Sequence, residues 1–402
     1  MSAAPLIVGG GMAGAALALL LRHHGAPAVT LVESHALAAG EAPDTPSFDA
    51  RSTALSAGSL AILEQLGLQD AVLENAAGID TVHVSRRGRL GLARLTAEEQ
   101  NLPRLGAVVE NRWFGHVLLR AVEADPAITL RAPASLTGIR RATDGYEATL
   151  DDGEELHTPL LIAADGARSR TRDWLGISAR HRDIGHDALI ANVGLAEPHR
   201  GQAFERFLDE GPLALLPLPG ERMALVWTGP RDDVDRWMAL DDDAFGAALS
   251  QATGEVLGAA RVVSRRAVFP IEERHASRYQ GRALALVGDA AHVIHPLAGQ
   301  GINLGLLDAA VLAEELGRAR AAGLPVARAA ILARYERRRR ADNLLMQNAM
   351  RGFKLLFERP EPAVRWLRNT GLGLVNRLAP ARHAFMHRAL GRAGDLPRNA
   401  RP

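Results

Sequence analysis

The chain has no cysteine, which excludes disulfides, iron–sulfur clusters and a thiolate nucleophile. Its single lysine, Lys354, rules out a Schiff-base mechanism placed anywhere else. Tyrosine is nearly as scarce, with only Tyr146, Tyr279 and Tyr335. Long apolar runs are missing too. The uncharged stretch Ser2–Leu21 lacks a basic leading region and carries four glycines and a proline. It therefore reads neither as a signal peptide nor as a membrane span, and a cytoplasmic chain without a transmembrane helix is expected. No metal site is expected.

What remains is a chain of 402 residues, 47% hydrophobic and rich in glycine, long enough for two domains or one two-lobed α/β unit. The net charge of +1 hides an asymmetry: residues 328–402 hold 17 Lys+Arg against 5 Asp+Glu, and the rest is acidic. A basic tail on an acidic body can meet a membrane, a protein partner or the body itself. Nucleic acid is not expected, because the body would repel phosphate.

The most informative stretch is Leu6-Ile7-Val8-Gly9-Gly10-Gly11-Met12-Ala13-Gly14. Leu6–Val8 reads as a buried parallel strand and Met12–His23 as a helix, with Gly9, Gly11 and Gly14 at G-x-G-x-x-G spacing between them. The first glycine permits the tight turn, the second admits a pyrophosphate to backbone N–H groups, and the third allows close helix–strand packing. The helix N-terminus then faces the phosphates. Ala28–Val32 supplies a second strand, and Glu33 at its end can accept hydrogen bonds from a ribose.

Further along, Ser52 or Ser56 can cap a helix marked by Leu60, Leu63, Leu66 and Leu68, and Arg51 places a cation toward the nucleotide end of the sheet. Ile79–Val84 with the Arg86–Arg89 turn suggests a hairpin outside the nucleotide sheet. Val108–Arg112 leads into a helix ending near Ala124; Ile128–Ile139 and Tyr146–Leu150 read as strands. Leu160–Ala164 reads as another buried parallel strand, ending in Asp165-Gly166-Ala167-Arg168-Ser169. That segment is equally a cofactor site or a capped helix start, with Asp165 or Ser169 bonding backbone N–H groups.

From Asp183 to Val268, short alternating runs broken by Gly and Pro predict an inserted antiparallel sheet, with a helical excursion over Asp232–Ala259. Trp227 and Phe269 belong either to its core or to a ligand-facing surface. Arg282–Asp289 returns to the nucleotide domain as a strand ending in Gly288-Asp289. There Asp289 can bond polyol hydroxyls, and the Gly301–Asn303 amides can bond ring carbonyls. From Ala327 onward the chain reads as helical and basic, its Met and Phe positions serving helix packing or an amphipathic surface.

Three of these segments together (Gly9–Gly14 with Glu33; Asp165-Gly166 with Arg168-Ser169; Gly288-Asp289 through Pro296) resemble the flavoprotein aromatic hydroxylases of the para-hydroxybenzoate hydroxylase type. Phe48–Ser56, Val82–Ser85, Leu105–Asn111, His295–Asn303 and the ending Gly394–Arg398 are similar to the ubiquinone-biosynthesis branch of that family, so the resemblance spans nearly the whole chain. It implies a Rossmann-like FAD-binding α/β domain (1–75, 105–182 and 270–326), an inserted antiparallel-sheet substrate domain (76–104 and 183–269) and a C-terminal helical basic segment (327–402). It further implies that Gly9, Gly11 and Gly14, with Met12 and Ala13, hold the FAD pyrophosphate and Glu33 the adenosine ribose. Arg51 and Asn111 match phosphate and ribityl contacts, Leu136 lies near the adenine, and Asp165 serves FAD indirectly and NADPH during reduction. Gly288 and Asp289 bind the ribityl chain, while Pro296, Gly299, Gly301, Ile302 and Asn303 border the isoalloxazine ring.

The implied reaction is monooxygenation of a polyprenylated methoxyphenol, a 2-polyprenyl-6-methoxyphenol being the substrate class. Tightly bound FAD carries electrons from NADPH or NADH to O2. The tyrosines that engage substrate in the para-hydroxybenzoate enzyme have no counterpart here, so no tyrosine proton relay is expected. His295 is the one candidate base, with a structural histidine beside Pro296 as its rival. A polyprenyl substrate also implies access from a membrane, and the basic tail could contact lipid or a biosynthetic complex. The competing readings are a sister enzyme acting at another ring position, a prenyl reductase and a non-enzymatic prenyl-binding carrier. A flavin halogenase is disfavoured because no Trp-x-Trp-x-Ile element occurs.

Overall fold

Leu6–Val8 forms the middle of a parallel sheet because all three side chains are apolar and both faces are covered, leaving none above 8% exposed. This computed structural model describes residues 4–37, 45, 47–49, 51–86, 89–254, 258–294, 300–358, 391 and 395–400. The sheet order is Gln280–Gly281, Leu284–Leu286, Leu161–Ala163, Leu6–Val8, Val29–Val32 and Ile128–Arg131, parallel except at the Gln280–Gly281 edge. From Leu6–Val8 the chain steps first to one side, to Val29–Val32, and returns on the other side at Leu161–Ala163. That reversal creates the crevice at the strands' carboxyl ends where α/β folds bind ligands.

The Met12–His23 helix packs against this sheet and against the helices Asn111–Ala124 and Gln300–Ala321. Its Leu17, Leu20 and Leu21 are fully buried, each contributing roughly 2 kcal/mol of burial free energy. Ser56 caps the Ala57–Gln65 helix by accepting from Ser59 N at 3.3 Å, while Ser52 opens a strand instead.

Two three-stranded sheets flank the parallel one: Ser52–Ser56, Gly106–Glu110 and Ala76–Ile79 form the first, and Leu136–Ala142, Gly145–Leu150 and Glu155–Thr158 the second. The single strand expected over Ile128–Ile139 is thus two strands in different sheets. They part at Ala132-Pro133, where proline offers no N–H to continue a ladder. Ile79 likewise ends its own strand, and the hairpin proper is Thr81–Arg86 with Arg89–Thr96.

The large sheet runs His292–Val293, Ala267–Ala276, Ala179–Leu195, Arg222–Pro230, Pro212–Pro217, Gln202–Phe207, Thr81–Arg86 and Arg89–Thr96, with Ala260–Val262 attached to Ala179–Leu195. The expectation of a purely antiparallel sheet is corrected at one place: Gln202–Phe207 pairs in parallel with Thr81–Arg86. More than a hundred residues separate those strands, and a long connection permits either direction; side-chain alternation does not encode it. The helices Arg231–Ala239 and Asp242–Thr253 cover one face over Leu189, Leu213, Leu225 and Trp227. Trp227 is core, 4% exposed and stacked on Trp237 at 4.1 Å, so it lines no ligand surface. On the opposite face Ala203, Leu216 and Ala224 pack on Ala54, Ile79 and Val108, which turns that face toward the nucleotide domain.

The Ala329–Glu358 helix seats Ile331, Leu332 and Tyr335 in the main core. Its Arg338 and Arg339 point inward, Arg338 to Glu314 and Glu315 and Arg339 to Asp308. Part of the tail's positive charge therefore meets the body of the molecule itself. Among the described residues no helix is long and apolar enough to cross a membrane.

Candidate active site

The glycine turn is fixed by close contacts. Gly9 has φ +106°, and a Cβ there would stand 2.4 Å from the Ala164 carbonyl oxygen. A Cβ on Gly14 would come within 1.8 Å of the Gly9 carbonyl oxygen. Gly11 is the N-cap of the Met12–His23 helix; no side chain caps it, and the first turn holds no acidic residue. The leading N–H groups at Met12 and Ala13 are thus available to an anion. Gly10, unassigned by the fingerprint, is constrained less severely but in the same way, because a Cβ would lie 2.8 Å from Glu33 Cβ. Nothing in the spacing rule marks that position, which needs the neighbouring strand to be seen.

Glu33 follows Val29–Val32 and accepts hydrogen bonds from Gly10 N at 2.8 Å and His35 N at 2.9 Å. Burial pushes its carboxyl up, but the bonds from His35, Gly10 and Ser34 outweigh that and hold it below the ordinary value. The acid is therefore ionised and oriented against the turn. Leu136 lies two residues beyond Ala134, whose N–H bonds Glu33 O at 2.8 Å, but its side chain is buried in the core.

Arg51 and Asn111 meet at the mouth of the Ser52–Ser56 strand. Arg51 Nε bonds Asp49 at 2.6 Å, and its guanidinium lies 4.8 Å from the Phe269 ring centroid. Asn111 accepts from Thr53 Oγ1 at 2.6 Å, and its backbone N–H bonds Arg51 O. Phe269 is thereby placed on the nucleotide-facing side of the large sheet.

Asp165 acts as the start of a helix: it accepts from Thr171 N at 3.0 Å and from Ser169 Oγ, while Ser169 caps Arg172 N at 3.0 Å. Arg172 from the same segment donates to Ala290 O at 3.2 Å, tying this turn to the Gly288-Asp289 turn. Gly288 has φ +61°, and a Cβ on it would stand 3.3 Å from Ala13 Cβ. Segments 275 positions apart in the chain therefore share one crevice.

Asp289 is exposed by surface area yet surrounded by protein, as a group on a cleft floor is. Desolvation pushes its carboxyl up, opposed by His292 and Arg51 and reinforced by Asp308. Gly301 and Ile302 lie partly exposed in the first turn of Gln300–Ala321, and a Cβ on Gly301 would meet nothing within 4 Å. Asn303 is 1% exposed; it accepts from Ser56 N and Ser59 Oγ and donates to Ala54 O, so it joins the helix to the Ser52–Ser56 strand. His295, Pro296 and Gly299 lie outside the described residues.

Asp308 was not visible as a site residue in the sequence. It is fully buried and accepts from Gly288 N at 3.1 Å, His292 Nε2 at 2.6 Å, Arg339 Nε at 2.7 Å and Asn343 Nδ2 at 3.2 Å. The available signal was an acid inside the apolar run Leu306-Leu307-Asp308-Ala309-Ala310-Val311, where only a paired charge survives burial.

The model of the FAD binding domain family matches residues 2–348. The chain belongs to this FAD-binding family. A ubiquinone hydroxylase, UbiL, from Rhodospirillum rubrum is 40% identical over 96% of this chain and 89% of its own length. The 3-demethoxyubiquinol 3-hydroxylase of Escherichia coli is 37% identical over 96% and 97%. Among solved structures, p-nitrophenol 4-monooxygenase PnpA from Pseudomonas putida superposes with a TM-score of 0.78 at 20% identity, covering 98% of each chain, which places the fold. The protein is a flavoprotein monooxygenase, and FAD is its cofactor.

The crevice of this flavoprotein fits that cofactor. The uncapped helix at Gly11 and the turn closed by Gly9 and Gly14 suit the pyrophosphate, and Glu33 stands beside them at the neighbouring strand end. Asp289 and the open first turn at Gly301 lie on the Gly288 side of the same crevice.

Proposed function

We propose that this flavoprotein hydroxylates the ring of a polyprenylated methoxyphenol in ubiquinone biosynthesis, using NADPH or NADH as reductant and O2 as oxygen source. The two relatives named above, both aligned over 96% of this chain, support the substrate class. The observation that carries the reading is one crevice at the ends of Leu6–Val8, Val29–Val32, Leu161–Ala163 and Leu284–Leu286, overlooked by an apolar face of the large sheet.

FAD, when bound, passes reducing equivalents to O2 and so supplies the oxidising chemistry. The chain's own residues have three tasks. Gly9, Gly11, Met12, Ala13 and Gly14 offer backbone N–H groups to the pyrophosphate, and Glu33 accepts from the ribose. Asp289 accepts from the ribityl hydroxyls, and the Gly301–Asn303 turn borders the ring. The sheet face bearing Ala188, Ile190, Ala214 and Val226 packs on the substrate's apolar ring and keeps water from it. Because a polyprenyl chain partitions into lipid, the reading also places the protein peripherally at a membrane surface, with the basic segment 327–402 toward anionic headgroups.

The test is to purify the protein with its flavin and follow NADPH and NADH oxidation with and without a short-chain 2-prenyl-6-methoxyphenol. The expected result is a yellow protein whose NAD(P)H consumption rises with the phenol and which releases a ring-hydroxylated product. A colourless protein that binds isoprenoid would favour a carrier. A yellow protein indifferent to phenols would refute the substrate class.

A further inference from the structure

The Gln202–Phe207 strand lies between Pro212–Pro217 and Thr81–Arg86, and alternation sends its residues to opposite faces. Phe204 packs toward the helical face, and Arg206 bonds Thr253 O in the Asp242–Thr253 helix. Ala203 turns the other way, onto Ala54 and Val108. Glu205 shares the side of Ala203, so its carboxyl is on the face toward the nucleotide domain.

The register names its neighbours there. In the same row lie Val84, Ala214, Val226, Ile190 and Ala267, all apolar. On one side is the Ala203–Leu216–Ala224 row, closed by the Ser52–Ser56 strand. On the other is the row ending in Phe269, which lies against Arg51. Glu205 thus occupies the band of the sheet between two rows that both touch the Arg51–Ala54 segment at the cofactor crevice.

Glu205 is half-buried by surface area and yet enveloped by protein, and it makes no hydrogen bond or ion pair to any described residue. Of the charged or titratable residues on the strands around it, His83 stacks on Phe204 at the opposite face, Arg222 pairs with Glu110 and Arg86 stands opposite Phe207 in the register; desolvation pushes the Glu205 carboxyl up to about 8. An acid held in an apolar patch without a partner is a usual mark of a functional group.

We propose that Glu205 contacts the phenolic oxygen of the substrate and accepts its proton as the ring is hydroxylated. This rests on the phenol-hydroxylase reading above. The phenol O–H bond breaks, an O–H bond forms on the carboxylate, and the electron pair left on oxygen raises the electron density of the ring carbon that takes up oxygen. The oxygen atom comes from O2 and the electrons from NAD(P)H. With three tyrosines in the chain, two of them (Tyr279 and Tyr335) buried beside Asp308 and the third (Tyr146) bonded to Arg282 O, this carboxyl fills the role for which no tyrosine is placed.

The test compares FAD-loaded wild type with Glu205→Gln and Glu205→Asp, using a 2-prenyl-6-methoxyphenol and a nitro-substituted, more acidic phenol. Gln matches the neutral carboxyl in size and charge, so E205Q is expected to fold and hold flavin with an unchanged spectrum. Wild-type kcat/KM for the methoxyphenol rises with pH through about 8, where the carboxyl ionises. In E205Q that limb disappears, kcat falls about 10²-fold and hydrogen peroxide replaces product, while the acidic phenol shows a much smaller deficit. In E205D the limb shifts but persists. Protein stability gives a readout independent of turnover. Raised in the folded state, the Glu205 carboxyl makes wild type lose stability as pH rises from 4.5 toward 8, and E205Q abolishes that slope.

An E205Q enzyme with the wild-type pH profile and product yield overturns the proposal. So does an equal deficit with both phenols. If wild type itself hydroxylates no phenol, the functional reading falls first, and that outcome is separable because it appears before any variant is made.

Discussion

Replacing Asp308 tests whether the second glycine turn and the C-terminal helix are held by one buried charge. The Asp308 carboxylate is fully buried and is shared by Gly288 N, His292, Arg339 and Asn343. Burial alone would push its carboxyl up; His292 and Arg339 outweigh that and hold it well below the ordinary range. In Asp308→Asn, one acceptor becomes a donor facing the donors Arg339 Nε and Asn343 Nδ2, and Arg339, 2% exposed, keeps only Asp342 at 3.5 Å as a counter-charge. Breaking a buried pair by removing one partner costs about 3–5 kcal/mol, and the residual Asp342 contact points to the lower end, about 3. For a domain stable by roughly 5–15 kcal/mol that is a large fraction.

Urea denaturation of the apo-protein measures this loss. FAD titration should show a second effect, a Kd raised roughly 10-fold, because the Gly288 N–H loses a charged acceptor worth about 1.5 kcal/mol. Since folding keeps Asp308 ionised, wild type has this stability above the ordinary carboxylate pKa and loses it as pH falls toward the depressed value; D308N lacks that limb. The double variant D308N/R339L should recover part of the loss, with coupling of roughly 1–3 kcal/mol. A D308N protein within about 1 kcal/mol of wild type, or strictly additive effects in the double variant, would refute the reasoning.

Three further predictions concern the cofactor crevice. Gly14→Ala forces a Cβ onto the Gly9 carbonyl at 1.8 Å, so the purified protein should contain no flavin. Gly301→Ala has open space around its Cβ and should leave the apo-protein's Tm unchanged while weakening FAD binding, read by absorbance and fluorescence titration. Glu33→Gln should raise the FAD Kd roughly 10-fold at pH 7, the equivalent of one charged hydrogen bond. Because the Glu33 carboxyl is held below its ordinary value of 4.5 in the folded protein, its contribution is fully present above that value and is lost only as pH falls through the depressed one, so the gap between wild type and E33Q must narrow there. A gap of constant size across that range would count against the assigned role.

The sequence by itself determined the features whose cause is local. Leu6–Val8 is apolar on both sides, so it had to be a buried strand; Gly9, Gly11 and Gly14 at their spacing specify the turn and the uncapped helix; Glu33 ends the next strand. The N-cap at Ser56 and the inserted domain's character were also legible, because caps and alternation are short-range signals. Tertiary structure decided whatever depends on which distant segments become neighbours. The parallel pairing of Gln202–Phe207 with Thr81–Arg86, the split at Ala132-Pro133, the need for glycine at position 10 and the use of Asn303 as a strap to Ser56 all follow from such meetings. So do the inward turn of Arg338 and Arg339 and the burial of Asp308 and Glu205, since a charge's partners and its desolvation are set by surroundings the chain assembles only on folding.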